Sequence, residues 1–215
     1  MTPRYCAATV LATGLALICS GAISTAAIAA AADARSDAVP ARPRTTTPRQ
    51  RGCLSAGDGY LRARLRGALD LDVNWRDAEI DCSGGARPDG SGMRVSVAGP
   101  VQSDGRRLRF VFGIGQAREG TPGRALPTNL TVIFEGEKRI FATRGEGKCT
   151  VDELVQQRVG ALDGEERTWR VVARGFCTSP ATNLASDARL LVTSFDFAAK
   201  VTFEEPHDAP PAKEI

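Results

Sequence analysis

The sequence predicts an all-β fold, either an antiparallel β-sandwich or, as the alternative, an open β-barrel, of about eight or nine strands. Three observations carry that expectation. Apolar and polar residues alternate with period two along most of residues 53–204, the pattern of strands with one face on a core and the other in water. Turn signals rich in Gly and Asp recur between these runs at intervals that suit a sandwich. Cys53, Cys82, Cys149 and Cys177 form an even set within the same stretch, as two disulfides require.

Composition narrows the function classes. With 215 residues, 42% of them hydrophobic and 25% charged, the chain has the core material of one globular domain rather than of a fibrous repeat or a disordered protein. A formal net charge of +3 is too small for a dedicated nucleic-acid binder, so no specific nucleic acid is expected as partner. His207 is the only histidine, which removes most histidine-based chemistry.

The first 34 residues read as an export signal. Arg4 supplies the positive start, residues 6–32 carry no charge, and Ala27-Ile28-Ala29 and Ala32-Asp33-Ala34 offer small-residue cleavage patterns. The uncharged run is long enough to span a bilayer if uncut, so anchoring by an uncleaved N-terminal segment is the alternative. Its Ala and Gly content makes it a weak anchor. Removing the signal takes Cys6 and Cys19 with it and leaves four cysteines. In an oxidising space these pair, and Cys53–Cys82 with Cys149–Cys177 is the expected connectivity. A four-thiolate zinc site needs closely spaced C-x-x-C pairs, and none occurs. Arginine outnumbers lysine 24 to 4, a bias of GC-rich bacterial coding, so the expected location is the periplasm or the exterior.

Residues 35–52 form a basic arm rich in Pro and Thr, with five arginines against Asp37. So little apolar content cannot offset the entropy of ordering, and a disordered linker is expected. Residues 205–215 hold Pro206, Pro210 and Pro211 and read as a disordered tail. Between them lies the β domain, residues 53–204.

Along that domain, odd positions from Leu61 to Trp75 are mostly apolar and even positions mostly polar. This reads as one long strand bent or bulged at Gly67. The parity then flips, with Ala78, Ile80 and Cys82 apolar, so a turn or bulge is expected near Arg76-Asp77. Met93, Val95 and Val97 form the next face, and Leu108, Phe110, Phe112 and Ile114 another, with Asp104-Gly105 between them as a hairpin signal. Leu130, Val132 and Phe134 follow, then residues 140–143, and finally the alternating set Phe195, Phe197, Ala199, Val201 and Phe203. Residues 150–159 are ambiguous. Thr150-Val151-Asp152-Glu153 matches a capping box ahead of a helical stripe, whereas folding about Asp163-Gly164 brings residue 150 opposite residue 177. That near coincidence with the Cys149–Cys177 pair favours a disulfide-closed hairpin.

Chemistry is sparse. No G-x-S-x-G elbow occurs, and the glycine runs at residues 113–118 and 145–150 each miss a nucleotide-binding fingerprint. No catalytic set, metal site or cofactor is expected. Asp70, Asp72, Asn74, Asp77, Glu79 and Asp81 form the densest acidic cluster and echo the start of a calcium loop, but Trp75 stands where that loop needs glycine. The solvent face of a strand explains the same residues. Arg62, Arg64 and Arg66 project together and read as partners of an acidic neighbouring strand such as residues 77–81. Trp75 and Trp169 read as core packing.

The loop at residues 115–127 is long for a connection within a sandwich and carries Gln116, Arg118, Glu119 and Arg124 among glycines and prolines. These four are the candidate ligand-binding residues. The function expected is therefore an exported, non-catalytic β-sandwich that binds an envelope or extracellular partner. The basic arm would add weak attraction to anionic surfaces. The alternatives are a carboxylate-dependent glycan hydrolase, which needs two acids facing one cleft, and a calcium-stabilised binding module.

Overall fold

The computed structural model describes residues 52–137, 139–160 and 166–204. The expected signal 1–34, the arm up to residue 51, the hairpin apex at Asp163-Gly164 and the tail 205–215 lie outside the described residues.

Eleven strands follow one another along the described chain: β1 (Tyr60–Gly67), β2 (Leu71–Arg76), β3 (Asp81–Ala86), β4 (Gly92–Ala98), β5 (Arg107–Gly115), β6 (Gly123–Glu135), β7 (Arg139–Ala142), β8 (Cys149–Val159), β9 (Glu166–Cys177), β10 (Ala181–Asn183) and β11 (Arg189–Glu204). Every pairing is antiparallel, and the strands are joined in one hydrogen-bonded sheet. The count exceeds the eight or nine expected because two rows of the sheet hold two strands each. β9 and β10 share one side of β11, and β8 and β7 share one side of β6. β7 falls on the expected residues 140–143, whereas the short β10 carries too little alternation to stand out in the sequence.

A second excess comes from residues 61–75, which form a hairpin rather than one bent strand. Gly67, in the left-handed region at φ +106°, ends β1, and its N–H is accepted by Asp70 Oδ1 at 3.1 Å across the turn. Leu61 then pairs with Trp75, Ala63 with Val73 and Leu65 with Leu71. Odd residues face odd residues, so the apolar face passes through the turn without a change of parity.

The parity change near residue 77 is a short 3₁₀ turn, Asp77–Glu79, closed by the Glu79 carboxylate accepting from the Arg76 N–H. Residues 149–159 are strand β8, not helix. Cys149 pairs in register with Cys177, and the register slips by one residue between Val151 and Glu153. That slip accounts for the offset between the expected hairpin centre and the cysteines. Both expected disulfides are present, Cys53–Cys82 and Cys149–Cys177.

The core joins β5 to β11. Phe112 lies 4.6 Å from Phe197 and 4.9 Å from Phe195, centroid to centroid. Each fully buried phenylalanine contributes about 1.5–3 kcal/mol relative to exposure. β3 comes to lie beside the part of β11 beyond the reach of β1. There the Lys200 N–H approaches Cys82 Sγ at 3.3 Å, and a Cβ on Gly84 would meet Val201 Cγ2 at 2.8 Å.

Trp75 packs on the core edge-on to Phe110 at 5.8 Å, over Gly99. The acidic cluster is not one solvated face. Asp77 is buried, and its Oδ1 accepts from the N–H groups of Leu54 at 2.8 Å, Gly59 at 3.0 Å and Cys53 at 3.2 Å. Arg62 and Arg66 meet Asp196 on β11 and Asp72 on β2, in place of residues 77–81. The difference follows from the hairpin, which sets β2 beside β1.

Candidate functional site

Three loops meet at one end of the sheet: residues 87–91 between β3 and β4, 116–122 between β5 and β6, and 143–148 between β7 and β8. Arg87 ion-pairs with Glu146, tying the first to the third. The Gln116 N–H donates to the Ser91 carbonyl at 2.7 Å, tying the second to the first. An open cleft of about 570 Å³ lies at this junction, lined by residues including Ser91, Gln116, Ala117, Arg118, Thr121 and Leu126.

The loop at 116–122 is held against β8 and β9 by a clamp built from side chains of those strands. The Arg167 guanidinium donates two hydrogen bonds to the Glu119 carboxylate, and Trp169 Nε1–H donates to Glu119 Oε1 at 2.9 Å. Gly120 fits beneath the Trp169 ring, where an added Cβ would lie 2.8 Å from the indole. Gln156 completes the clamp: its Nε2 donates to the carbonyls of Arg118 and Thr121 at 2.7 Å each, and its Oε1 accepts from the Gly120 N–H at 3.1 Å. Every backbone group fixed this way is one less to be ordered when a ligand arrives. The paired Arg167 guanidinium holds the Glu119 carboxyl below its ordinary value, against the opposing effect of burial and with help from Trp169.

Of the four sequence candidates, Gln116 and Arg118 line the cleft and are exposed. Glu119 points into the clamp. Arg124 belongs to the first turn-proximal part of β6, opposite Glu153, and is not among the lining residues. Gln116 sits in the left-handed region at φ +61°, as does Ala125 at φ +52°, conformations seldom adopted by residues with a Cβ. Only tertiary packing brings Ser91 to the loop, whereas Leu126 lies in the expected stretch 115–127, whose last five residues are the start of β6 rather than loop. Trp169 packs half-buried against the core, as expected, and its indole N–H also carries the clamp.

The acids of the 70–81 cluster are engaged separately. Asp70 closes the β1–β2 turn, Asp72 meets Arg66, Glu79 caps a backbone N–H and Asp81 meets Arg107. Among the described residues no group of three or more His, Cys, Asp or Glu side chains could hold a metal ion. Among them, too, no helix is long and apolar enough to cross a membrane. Two disulfides fit a protein of an oxidising compartment.

No protein-family model, curated protein or solved structure matches the chain.

Proposed function

We propose that this chain is an exported, non-catalytic β domain that binds an envelope or extracellular ligand in the cleft beside loop 116–122. One observation carries the reading: Glu119, Arg167, Trp169 and Gln156 fix that loop so that the concavity exists before any ligand binds. A preformed cleft with apolar Ala117 and Leu126 beside polar Gln116, Ser91 and Thr121 is the usual setting for ligand recognition. The acid in the loop supports binding over hydrolysis. Glu119 is committed to Arg167 and its proton affinity is lowered, the reverse of what a general acid needs. The sequence of residues 1–34 and the two disulfides support export, and the basic arm 35–52 would add weak attraction to anionic surfaces.

Backbone NMR of the isotopically labelled chain, titrated with soluble envelope glycan and peptide fractions, tests this reading. The expected result is a set of shift changes confined to residues 90–91, 116–123 and 126. Changes scattered over the sheet, or product formation abolished by substituting a carboxylate of residues 53–204, would overturn it.

A further inference from the structure

Resting on that reading, we infer that the cleft selects a ligand bearing a carboxylate, and that this ligand is an acidic sugar rather than a peptide. The charge argument starts from Arg118. Its side chain is exposed at the cleft and has no ion-pair partner among the described residues. The acids that could have neutralised it are taken. Glu119 is held by Arg167 and Trp169, Asp89 by Arg87 and the Ser91 N–H and hydroxyl, and Glu146 by Arg87. Asp89 is held below its ordinary value first by the Ser91 N–H and hydroxyl and then by Arg87, so it stays ionised and occupied. The same loop end also carries Arg144 and Lys148, neither with an ion-pair partner among the described residues. The cleft therefore presents an unspent guanidinium whose fork matches a carboxylate, at the same end of the sheet as Arg144 and Lys148.

The backbone favours a sugar over a peptide. A peptide that joins a β protein through its backbone adds a strand to an open edge. The stretch of β6 that borders the cleft, residues 123–127, is paired with β8 on one side and, among the described residues, with no strand on the other, because the β5–β6 ladder ends at Ile114 and Thr128. This stretch is a poor template. Ala125 is in the left-handed region and Pro127 has no N–H to offer. Recognition here falls to side chains: a guanidinium for the acid, the amide and hydroxyls of Gln116, Ser91 and Thr121 for sugar hydroxyls, and Ala117 and Leu126 for the apolar face of a ring.

The test uses the full chain and three probes: a uronic-acid trisaccharide, the same trisaccharide with its carboxylates methyl-esterified, and a triglutamate peptide, each titrated calorimetrically and by NMR at low salt. The acid trisaccharide is expected to bind at least tenfold more tightly than the ester, and Arg118→Gln is expected to remove that preference, so that acid and ester then bind the variant equally. Equal affinity for acid and ester, with shifts still in the cleft, would overturn carboxylate selection but leave the cleft reading intact. Tighter binding of the peptide would overturn the sugar assignment. No binding of any probe to the wild-type chain would overturn the inference as a whole, while the envelope-fraction titration judges the cleft independently. A preference that survives in Arg118→Gln, with the variant's spectrum otherwise native, would also overturn it.

Discussion

Arg167 grips Glu119 as a fork, with Nε on Oε1 at 2.8 Å and Nη2 on Oε2 at 3.1 Å, across 48 positions of sequence. Charge-assisted pairs of this geometry are among the stronger polar contacts in a partly buried setting. Removing one partner strands the other. Glu119→Ala is expected to lower unfolding free energy by about 1–3 kcal/mol in urea titrations and to shift Trp169 emission to longer wavelength as its indole loses its acceptor. Glu119→Gln keeps an acceptor for Trp169 and should cost less. A Glu119→Ala protein as stable as wild type would show that the clamp is ornamental.

The same pair sets a pH dependence. In Glu119 the Arg167 hydrogen bonds dominate and lower the pKa from the ordinary 4.5; in Glu135 burial pushes upward, but Arg109 and Arg107 together outweigh it, with the same net direction. A folded-state pKa below the unfolded one gives stability that is complete above the ordinary glutamate range and lost as pH falls through the depressed value. The stability gap between wild type and Glu119→Ala should therefore be flat from about pH 6 to 8 and close below about pH 4. A gap that widens on acidification would contradict the assignment.

Asp77 anchors the chain that leads into β1. Its Oδ1 serves three backbone N–H groups, so Asp77→Ala leaves three donors without their acceptor. The expected cost is about 2–4 kcal/mol. Hydrogen exchange should locate it, with the amides of Cys53, Leu54 and Gly59 losing protection before those of β5.

Gly99 is required by a ring rather than by a turn. A Cβ there would stand 2.4 Å from the Trp75 indole, so Gly99→Ala must push Trp75 off Phe110. A destabilisation of about 1–3 kcal/mol is expected, together with a changed near-ultraviolet circular dichroism spectrum. An unaltered spectrum would mean that the indole has room to spare.

The Cys149–Cys177 bond closes a segment with a sequence separation of 28. Replacing both cysteines by alanine should cost roughly 3 kcal/mol, the scale expected for constraining an unfolded loop of that size. Differential alkylation of material from the native source should recover no free thiol at either position.

Much of this architecture was legible because burial follows parity. Leu61, Ala63 and Leu65 are buried while Arg62, Arg64 and Arg66 are exposed, and Phe195, Phe197, Ala199, Val201 and Phe203 are all buried. The β1–β2 turn escaped for the same reason. Pairing odd residues with odd residues leaves the alternation unbroken, so periodicity holds no trace of the reversal. Asp77 escaped because a carboxylate that serves backbone donors looks, in sequence, like any surface acid. At the cleft, the glycines and prolines of residues 115–127 marked the loop, and Gln116 and Arg118 line the cavity. Glu119 faces away because its partners, Arg167 and Trp169, lie about fifty positions downstream. Nothing local announces contacts of that range.

The pairing of β1 with β11 joins the first strand to the last. A ribosome delivering this chain from the N-terminus must finish residues 189–204 before Leu61 and Ala63 meet Phe197 and Phe195, their cross-strand neighbours. Ladders that close so late have high contact order and assemble slowly. The β1–β2 hairpin and the β3–β6 meander can form as they emerge, but the ladder that joins them through β11 must wait for residues 189–204.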